Sequence, residues 1–151
     1  MLKLRRATPA DSVQAARIIG GALAEYGLPF EPEGRDADVA TFGARPDHDD
    51  MVAEDDGLVL GVASVGPQGA PGRAWVSKVF VAKEARRRGA GRALMEHVHD
   101  AARARGYAEI GLRTRVLFVE AIALYESFGY ARRDADLAVI TEGDVVYYRA
   151  L

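Results

Sequence analysis

Apolar side chains recur at two different periods along this chain, and the changes of period divide it into elements. Val13, Ala16, Ile19, Leu23 and Tyr26 follow a helical spacing. Thr8-Pro9-Ala10-Asp11 precedes them as a capping box, with Thr8 as N-cap, Pro9 at the first helical position and Asp11 in place of the usual glutamate. Gly27 and Pro29 stop the run, so a first helix is predicted over residues 9–26. Residues 51–53 and 58–65 read as strands joined through Asp56-Gly57, a dipeptide that favours a tight hairpin. Residues 74–81 form another strand, rich in β-favouring side chains. Leu94, Met95, Val98, Ala101 and Ala102 mark one face of a helix that ends at Gly106. Ile110 and Leu112 alternate inward from a strand over 108–114, and Leu117, Ala121, Leu124, Tyr125 and Phe128 line a last helix closed by Gly129. Two strands around 130–133 and 145–149 finish the pattern. Residues 28–50, rich in Pro, Gly and acids with a short helical possibility at 36–42, read as a functional connection or a lid.

This order of helix, strands, helix, strand, helix, strands implies an α/β fold, a mixed sheet with helices on both faces. A doubly wound dinucleotide fold fits less well, because the glycine-rich loop follows three or more strands and no Gly-x-Gly-x-x-Gly occurs. With 151 residues, about half of them apolar, the chain reads as a single domain over 1–151. A net charge of -2 gives no basic field for nucleic acid, and the dense basic run of Arg86 to Arg88 with Arg92 is local. The start breaks into charge before a signal-like run develops, and no stretch approaches the roughly 18 apolar residues of a membrane span, so a cytoplasmic location is expected. The chain has no cysteine, which excludes disulfides, thiolate metal sites and cysteine nucleophiles; no metal is expected. Lysine occurs only at 3, 78 and 83 while arginine is abundant, a bias that fits a GC-rich, bacterial coding sequence.

The segment Val79-Phe80-Val81-Ala82-Lys83-Glu84-Ala85-Arg86-Arg87-Arg88-Gly89-Ala90-Gly91-Arg92 runs from a strand through a polar loop into glycines that open a helix. Glycine lets the main chain approach an anion, the first-turn amides lack helical partners, and the helix dipole favours negative charge there. The loop therefore reads as a phosphate site, or else as a tight turn with a solvated basic rim.

Two motifs carry a resemblance. Arg86, Gly89 and Gly91 match the Arg/Gln-x-x-Gly-x-Gly/Ala signature of the GNAT superfamily of N-acetyltransferases, and residues 121–130, Ala-Ile-Ala-Leu-Tyr-Glu-Ser-Phe-Gly-Tyr, are similar to its second signature. The likeness extends in element order over residues 2–133. It implies a mostly antiparallel sheet of about six or seven strands, splayed between the strands at 74–81 and 108–114, with acetyl-coenzyme A as co-substrate. Its pantetheine arm would lie in the gap against the main chain of Phe80 and Val81. Its pyrophosphate would sit on the loop of Arg86, Arg87, Arg88, Gly89, Ala90, Gly91 and Arg92.

The resemblance also implies a mechanism. Tyr125 matches the family tyrosine near the cofactor sulfur and, with a reference pKa of about 10, can serve as general acid; the alternative is a core tyrosine on the apolar face. Many members carry a glutamate base eleven residues before the loop arginine, where this chain has Trp75. Ser77 on the same face could order a water, and Glu31, Glu33 and His48 of the connection are further candidates, each also readable as a solvated residue. Phe118 stands where many members have asparagine. Arg113 and Arg115 could hold a substrate carboxylate or be exposed strand-end arginines. The expected activity is acetyl transfer to a primary amine of a small molecule by direct attack in a ternary complex. A protein lysine or N-terminal acceptor and a non-catalytic acyl-coenzyme A sensor are the alternatives, and a homodimer is common in similar proteins.

Overall fold

The computed structural model describes residues 1–133 and 143–151. Seven described strands form one sheet: β1 (Lys3–Arg6), β2 (Asp49–Asp55), β3 (Leu58–Pro67), β4 (Arg73–Val81), β5 (Glu109–Arg115), β6 (Ala131–Arg132) and β7 (Asp144–Ala150), in the order β1-β2-β3-β4-β5-β7-β6. Every neighbouring pair is antiparallel except β4 with β5. Three helices cover it, α1 (Ser12–Ala24), α2 (Ala90–Ala104) and α3 (Val119–Ser127). The mixed sheet with helices on both faces is thus present as expected. No helix among the described residues is long and apolar enough to cross a membrane.

The long apolar run of β3 follows from burial on both faces. Ala63 and Val65 pack with Leu94, Met95 and Val98 of α2, while Val59 and Val62 pack with Ile18, Ile19 and Leu23 of α1. The β2–β3 turn has Asp56 at φ 53° and Gly57 at φ 80°, the two positive angles that a tight hairpin matching the strand twist requires.

The first helix departs from expectation in phase. Pro9–Asp11 form a 3-10 turn, so the α-helix starts only at Ser12, and its buried stripe is Ala15, Ile18, Ile19, Ala22 and Leu23. Val13, expected inward, is 77% exposed, and Tyr26 lies beyond the helix end. The reciprocal cap is present, with the Thr8 amide donating to the Asp11 carboxylate at 2.7 Å. Arg5 binds both Asp11 oxygens at 2.8 and 2.9 Å and holds that carboxyl below its usual range. The last helix starts at Val119, leaving Leu117 exposed in the preceding turn.

Beneath α2, His99 is buried and its Nε2 shares a 2.8 Å hydrogen bond with the Tyr130 hydroxyl. The Phe128 and Tyr130 rings pack on its imidazole. Burial, reinforced by the charges of Arg149 and Arg103 and opposed weakly by Asp100, lowers its pKa to about 4. The folded state thus excludes a proton that the unfolded chain binds below about pH 6.5. Stability is complete above that value and is lost as pH falls towards 4. Urea unfolding at pH 7 and pH 5 is expected to differ by roughly 2 kcal/mol from this group, and His99→Gln should remove most of that difference. An unchanged slope in the variant would assign the effect elsewhere.

Candidate active site

The site begins where the one parallel pairing fails. β4 and β5 are in register from Arg73 opposite Glu109 to Val76 opposite Leu112, and there the ladder ends although β4 runs on to Val81. On its other edge β4 keeps its bonds to β3, with Phe80 opposite Val62 and Val81 opposite Gly61, after a register shift between Val62 and Ser64. Lys78 takes up the extra length at φ 55°, a left-handed conformation that costs a lysine about 1–2 kcal/mol. The amide of Ala82 donates to the Leu60 carbonyl at 2.7 Å. By alternation the Phe80 main chain also turns to β3, and that of Val79 and Val81 turns to the open gap. Phe80 therefore contributes its ring, and Val79, unnoticed in the sequence, joins Val81 along the edge that faces the gap, where Arg86 donates to the Val81 carbonyl at 3.3 Å.

Two cavities meet at this gap. One, of about 320 Å³, runs from Ala22 and Tyr26 of the first helical segment past Val81 to the loop at 85–92 and Leu124. The other, of about 300 Å³, lies under the segment after α1 and is lined by Trp75, Ser77, Lys78, Arg113, Arg115 and their neighbours. Val79, Phe80, Phe118, Ala121 and Tyr125 line both.

At the loop, Gly89 caps α2 in the left-handed region at φ 79°, a conformation that glycine adopts without a Cβ penalty. Arg88 N–H reaches the Ala85 carbonyl at 3.4 Å and Ala93 N–H reaches that of Gly89 at 3.0 Å. Between them the amides of Gly89, Ala90, Gly91 and Arg92 find no acceptor among the described residues, the open donor set of a helix start. Any side chain at Gly91 would press on Leu124, whose Cδ2 lies 3.3 Å from an ideal Cβ.

The four arginines are not equivalent. Arg86 forks onto Glu25 at the end of α1, at 2.8 and 2.5 Å, and its charge holds the Glu25 carboxyl below the ordinary range. Arg88 pairs with Asp55 at 2.7 Å, and Arg92 reaches Ser127 Oγ at 2.9 Å while lying over the Phe128 ring. Those three hold the loop in shape. Arg87, at φ 67°, has no side-chain partner among the described residues.

Tyr125 lines both cavities and is 5% exposed, and its hydroxyl has no side-chain partner among the described residues. Burial alone pushes its pKa above the ordinary tyrosine range, so the group is protonated at neutral pH. Ser77 lines the second cavity, with Lys78 Nζ 3.3 Å from its Oγ. Trp75 lies beside Tyr148, with rings 6.1 Å apart. Among the other base candidates, Glu31 and Glu33 are exposed and line neither cavity. His48 does line the second, with Nδ1 2.6 Å from Asp47 and its ring over Gly66. Phe118 packs against Tyr26 and Phe80, which fills the corner where a polar asparagine was the family expectation.

The profile of the Acetyltransferase (GNAT) family matches residues 20–130. This chain belongs to the GNAT family. It is 32% identical over 152 residues to streptothricin acetyltransferase of Streptomyces lavendulae, a match covering 97% of this chain and 74% of that protein. It is 37% identical over 90 residues to the IAA acetyltransferase of Azospirillum brasilense, across 60% of this chain and 59% of the relative's length. A solved GCN5-related N-acetyltransferase of Kribbella flavida superposes with a TM-score of 0.77 at 28% identity, covering 99% and 98% of the two chains. The protein is therefore a GNAT N-acetyltransferase, which sets the sensor alternative aside, and acetyl-coenzyme A is the co-substrate of its family.

Sequence reading missed Val79 and the cations Lys78, Arg35 and Arg45 of the second cavity. Only Lys78 left a signal, as a charged residue interrupting an apolar strand. For the GNAT groove, Gly91→Val is expected to weaken coenzyme A binding at least about tenfold, or roughly 1.4 kcal/mol. Titration calorimetry checks this, and an affinity within twofold of the parent would show that no ligand lies against this helix start.

Proposed function

We propose that this protein moves an acetyl group from acetyl-coenzyme A to the primary amine of a small-molecule acceptor, by direct attack with both bound. The observation that carries the reading is that the two cavities meet along a shared wall of Val79, Phe80, Phe118, Ala121 and Tyr125. The first cavity suits the cofactor on three grounds. Amides without acceptors at Gly89 to Arg92 match a diphosphate, the β4 edge at Val79 and Val81, where Arg86 reaches the Val81 carbonyl at 3.3 Å, matches an amide-bearing arm, and the gap between β4 and β5 gives that arm a path. In this reading Ala90 and Gly91 let the diphosphate approach, Arg87 adds charge, and Arg86 and Arg88 keep the loop in shape.

Bound there, acetyl-coenzyme A supplies an electrophilic thioester carbon. The acceptor nitrogen forms the C–N bond as C–S breaks, nitrogen gives up one proton, and sulfur gains one. Tyr125 donates towards the departing sulfur. A thiolate, whose conjugate acid has a reference pKa of about 8.5, is a weaker base than tyrosinate at about 10, so Tyr125 keeps its proton and stabilises the departing sulfur by a hydrogen bond, and the released thiolate takes its proton from solvent. Ser77 orders the water that accepts the nitrogen's proton. A cysteinyl intermediate is excluded because the chain has no cysteine.

A small acceptor is supported by the roof of the second cavity. Arg35 binds Asp144 at 2.8 and 3.0 Å, Lys78 pairs with Asp38, and Arg45 reaches Asp50 at 3.3 Å, so the segment is strapped over a space of about 300 Å³. A protein lysine or N-terminus would require that roof to open. The Streptomyces relative, by its name, acetylates a small molecule.

Tyr125→Phe is expected to lower kcat by about a hundredfold or more while the coenzyme A Kd changes less than threefold. Steady-state thiol release and calorimetry measure the two, and a parental kcat would reduce Tyr125 to core packing.

A further inference from the structure

The second cavity holds more cationic chemistry than acetyl transfer itself requires. Along β5, Ile110, Leu112 and Thr114 are buried on the α2 side, so alternation sets Arg113 and Arg115 on the opposite face with Trp75 and Ser77 of β4. Lys78 joins them at the bulge, and the segment after α1 brings Arg35 and Arg45 over the top. Five cations thus surround one space.

Their partners do not account for all of them. Arg35 is held by Asp144, which is 2% exposed at its side chain, and Arg113 Nε lies 3.7 Å from the same carboxylate. Lys78 is ion-paired with Asp38. Arg45 divides one nitrogen between Asp50 at 3.3 Å and Ser64 at 3.0 Å, and its Nε is buried with no hydrogen-bond acceptor. An orphaned buried donor costs about 1–3 kcal/mol, a cost that a water or a bound ligand can relieve. Arg115 is half-buried in the cavity wall and has no side-chain partner among the described residues. Arg45 also lies 3.9 Å from Asp38, so among the described residues one guanidinium without a side-chain partner and one with an orphaned Nε border the same cavity, and planar guanidinium forks match oxyanions.

We propose that this cavity contains an oxyanion subsite, so that the acceptor is a small amine that also carries an anionic group, a carboxylate or a phosphomonoester, gripped by Arg115 with Arg45. The inference rests on the acetyl-transfer reading and names the substrate class for it. At about 300 Å³ the space is at the small end of ligand pockets and fits an amine of amino-acid size. The five cations face four carboxylates, Asp36 and Asp38 of the wall and Asp50 and Asp144 behind it, which leaves a small positive excess that favours an anionic group and disfavours a further cation. The acceptor's ammonium therefore loses its proton to water more readily in this cavity than in bulk solvent, and the neutral nitrogen attacks as described above. This supplies a reason why the position of the usual glutamate tolerates Trp75. Burial lowers the pKa of Lys78 despite its Asp38 partner, the same pressure that an incoming ammonium would meet.

The test uses matched acceptors with the full-length protein. Amino acids are compared with their carboxamides, and aminoalkyl phosphates with the corresponding amino alcohols, by kcat/KM for thiol release. The charged member of at least one series should be favoured about tenfold or more, mainly through KM, and the series with the larger ratio identifies the oxyanion. Arg115→Met should raise KM for that member at least about tenfold and bring the pair within about threefold, with coenzyme A titration verifying the fold. Arg115→Lys should recover part of the preference. Equal rates for charged and uncharged partners overturn the subsite while acetyl transfer stands. Absence of turnover with every amine, despite coenzyme A binding, overturns the transfer reading and the subsite together.

Discussion

Everything at this site depends on the β4–β5 ladder ending after four paired residues. A parallel pair inside an otherwise antiparallel sheet cannot be closed by a hairpin, so the chain between the two strands must cross over, and α2 is that crossover. Its start is then fixed at the end of β4, beside the strand edge that faces the gap. The amides at Gly89 to Arg92 and the main chain at Val79 and Val81 lie along one groove for this topological reason. The same divergence leaves room for α3 to bring Tyr125 between them. A β4 that stayed paired with β5 to its end would close the groove and bury the tyrosine with nothing to act on.

Holding two strands apart is costly, because unpaired main-chain groups forgo hydrogen bonds, and the structure offsets that cost by clamps outside the gap. Arg86 ties the loop to α1 through Glu25, Arg88 ties it to the hairpin through Asp55, and Arg92 ties α2 to α3 through Ser127. The segment after α1 is anchored differently. Val39 and Phe42 are buried in the α1-side core, and the Gly43 amide donates to Asp50 at 2.8 Å. Lifting that portion would expose Phe42, at about 1.5–3 kcal/mol for such a side chain. The exposed 31–35 side is held to the sheet, among the described residues, through Arg35 and Asp144.

The parts legible in the sequence were those with a local cause. The hairpin at Asp56-Gly57 follows from two positive φ angles, the loop from glycines at a helix start, and the helices at 90–104 and 119–127 from apolar period. β1 was missed, because Lys3-Leu4-Arg5-Arg6, with one apolar residue among three cations, shows no strand on its own, and pairing with β2 makes one. The phase of the first helix was misjudged because a 3-10 turn before it changes which residues face the sheet. At the site, sequence could nominate arginines but could not say which carboxylates occupy them. Glu25 is 61 positions from Arg86 and Asp144 is 109 from Arg35, separations that no local pattern encodes. His48 and the glutamates of the connection looked alike in sequence, and only the path of the chain sets His48 in the cavity wall and leaves Glu31 and Glu33 in solvent.

The protonation states set up by the two cavities oppose each other in a useful way. Burial in an apolar setting raises the Tyr125 pKa, since the anion would lose its hydration, so the hydroxyl keeps its proton and in the proposed reaction acts as a hydrogen-bond donor. On the other side of the gap, Lys78 is balanced by Asp38 and Arg113 lies against Asp144, so in the proposed subsite Arg115 supplies the excess charge that disfavours an ammonium. A carboxylate base at the Trp75 position would neutralise that excess. It would also compete with an anionic acceptor for the arginines. Trp75 avoids both effects while filling the wall beside Tyr148. In the proposed reaction, base strength at one residue is replaced by the excess charge of the cavity, which works only for an acceptor whose own anionic group makes the cavity tolerable to enter.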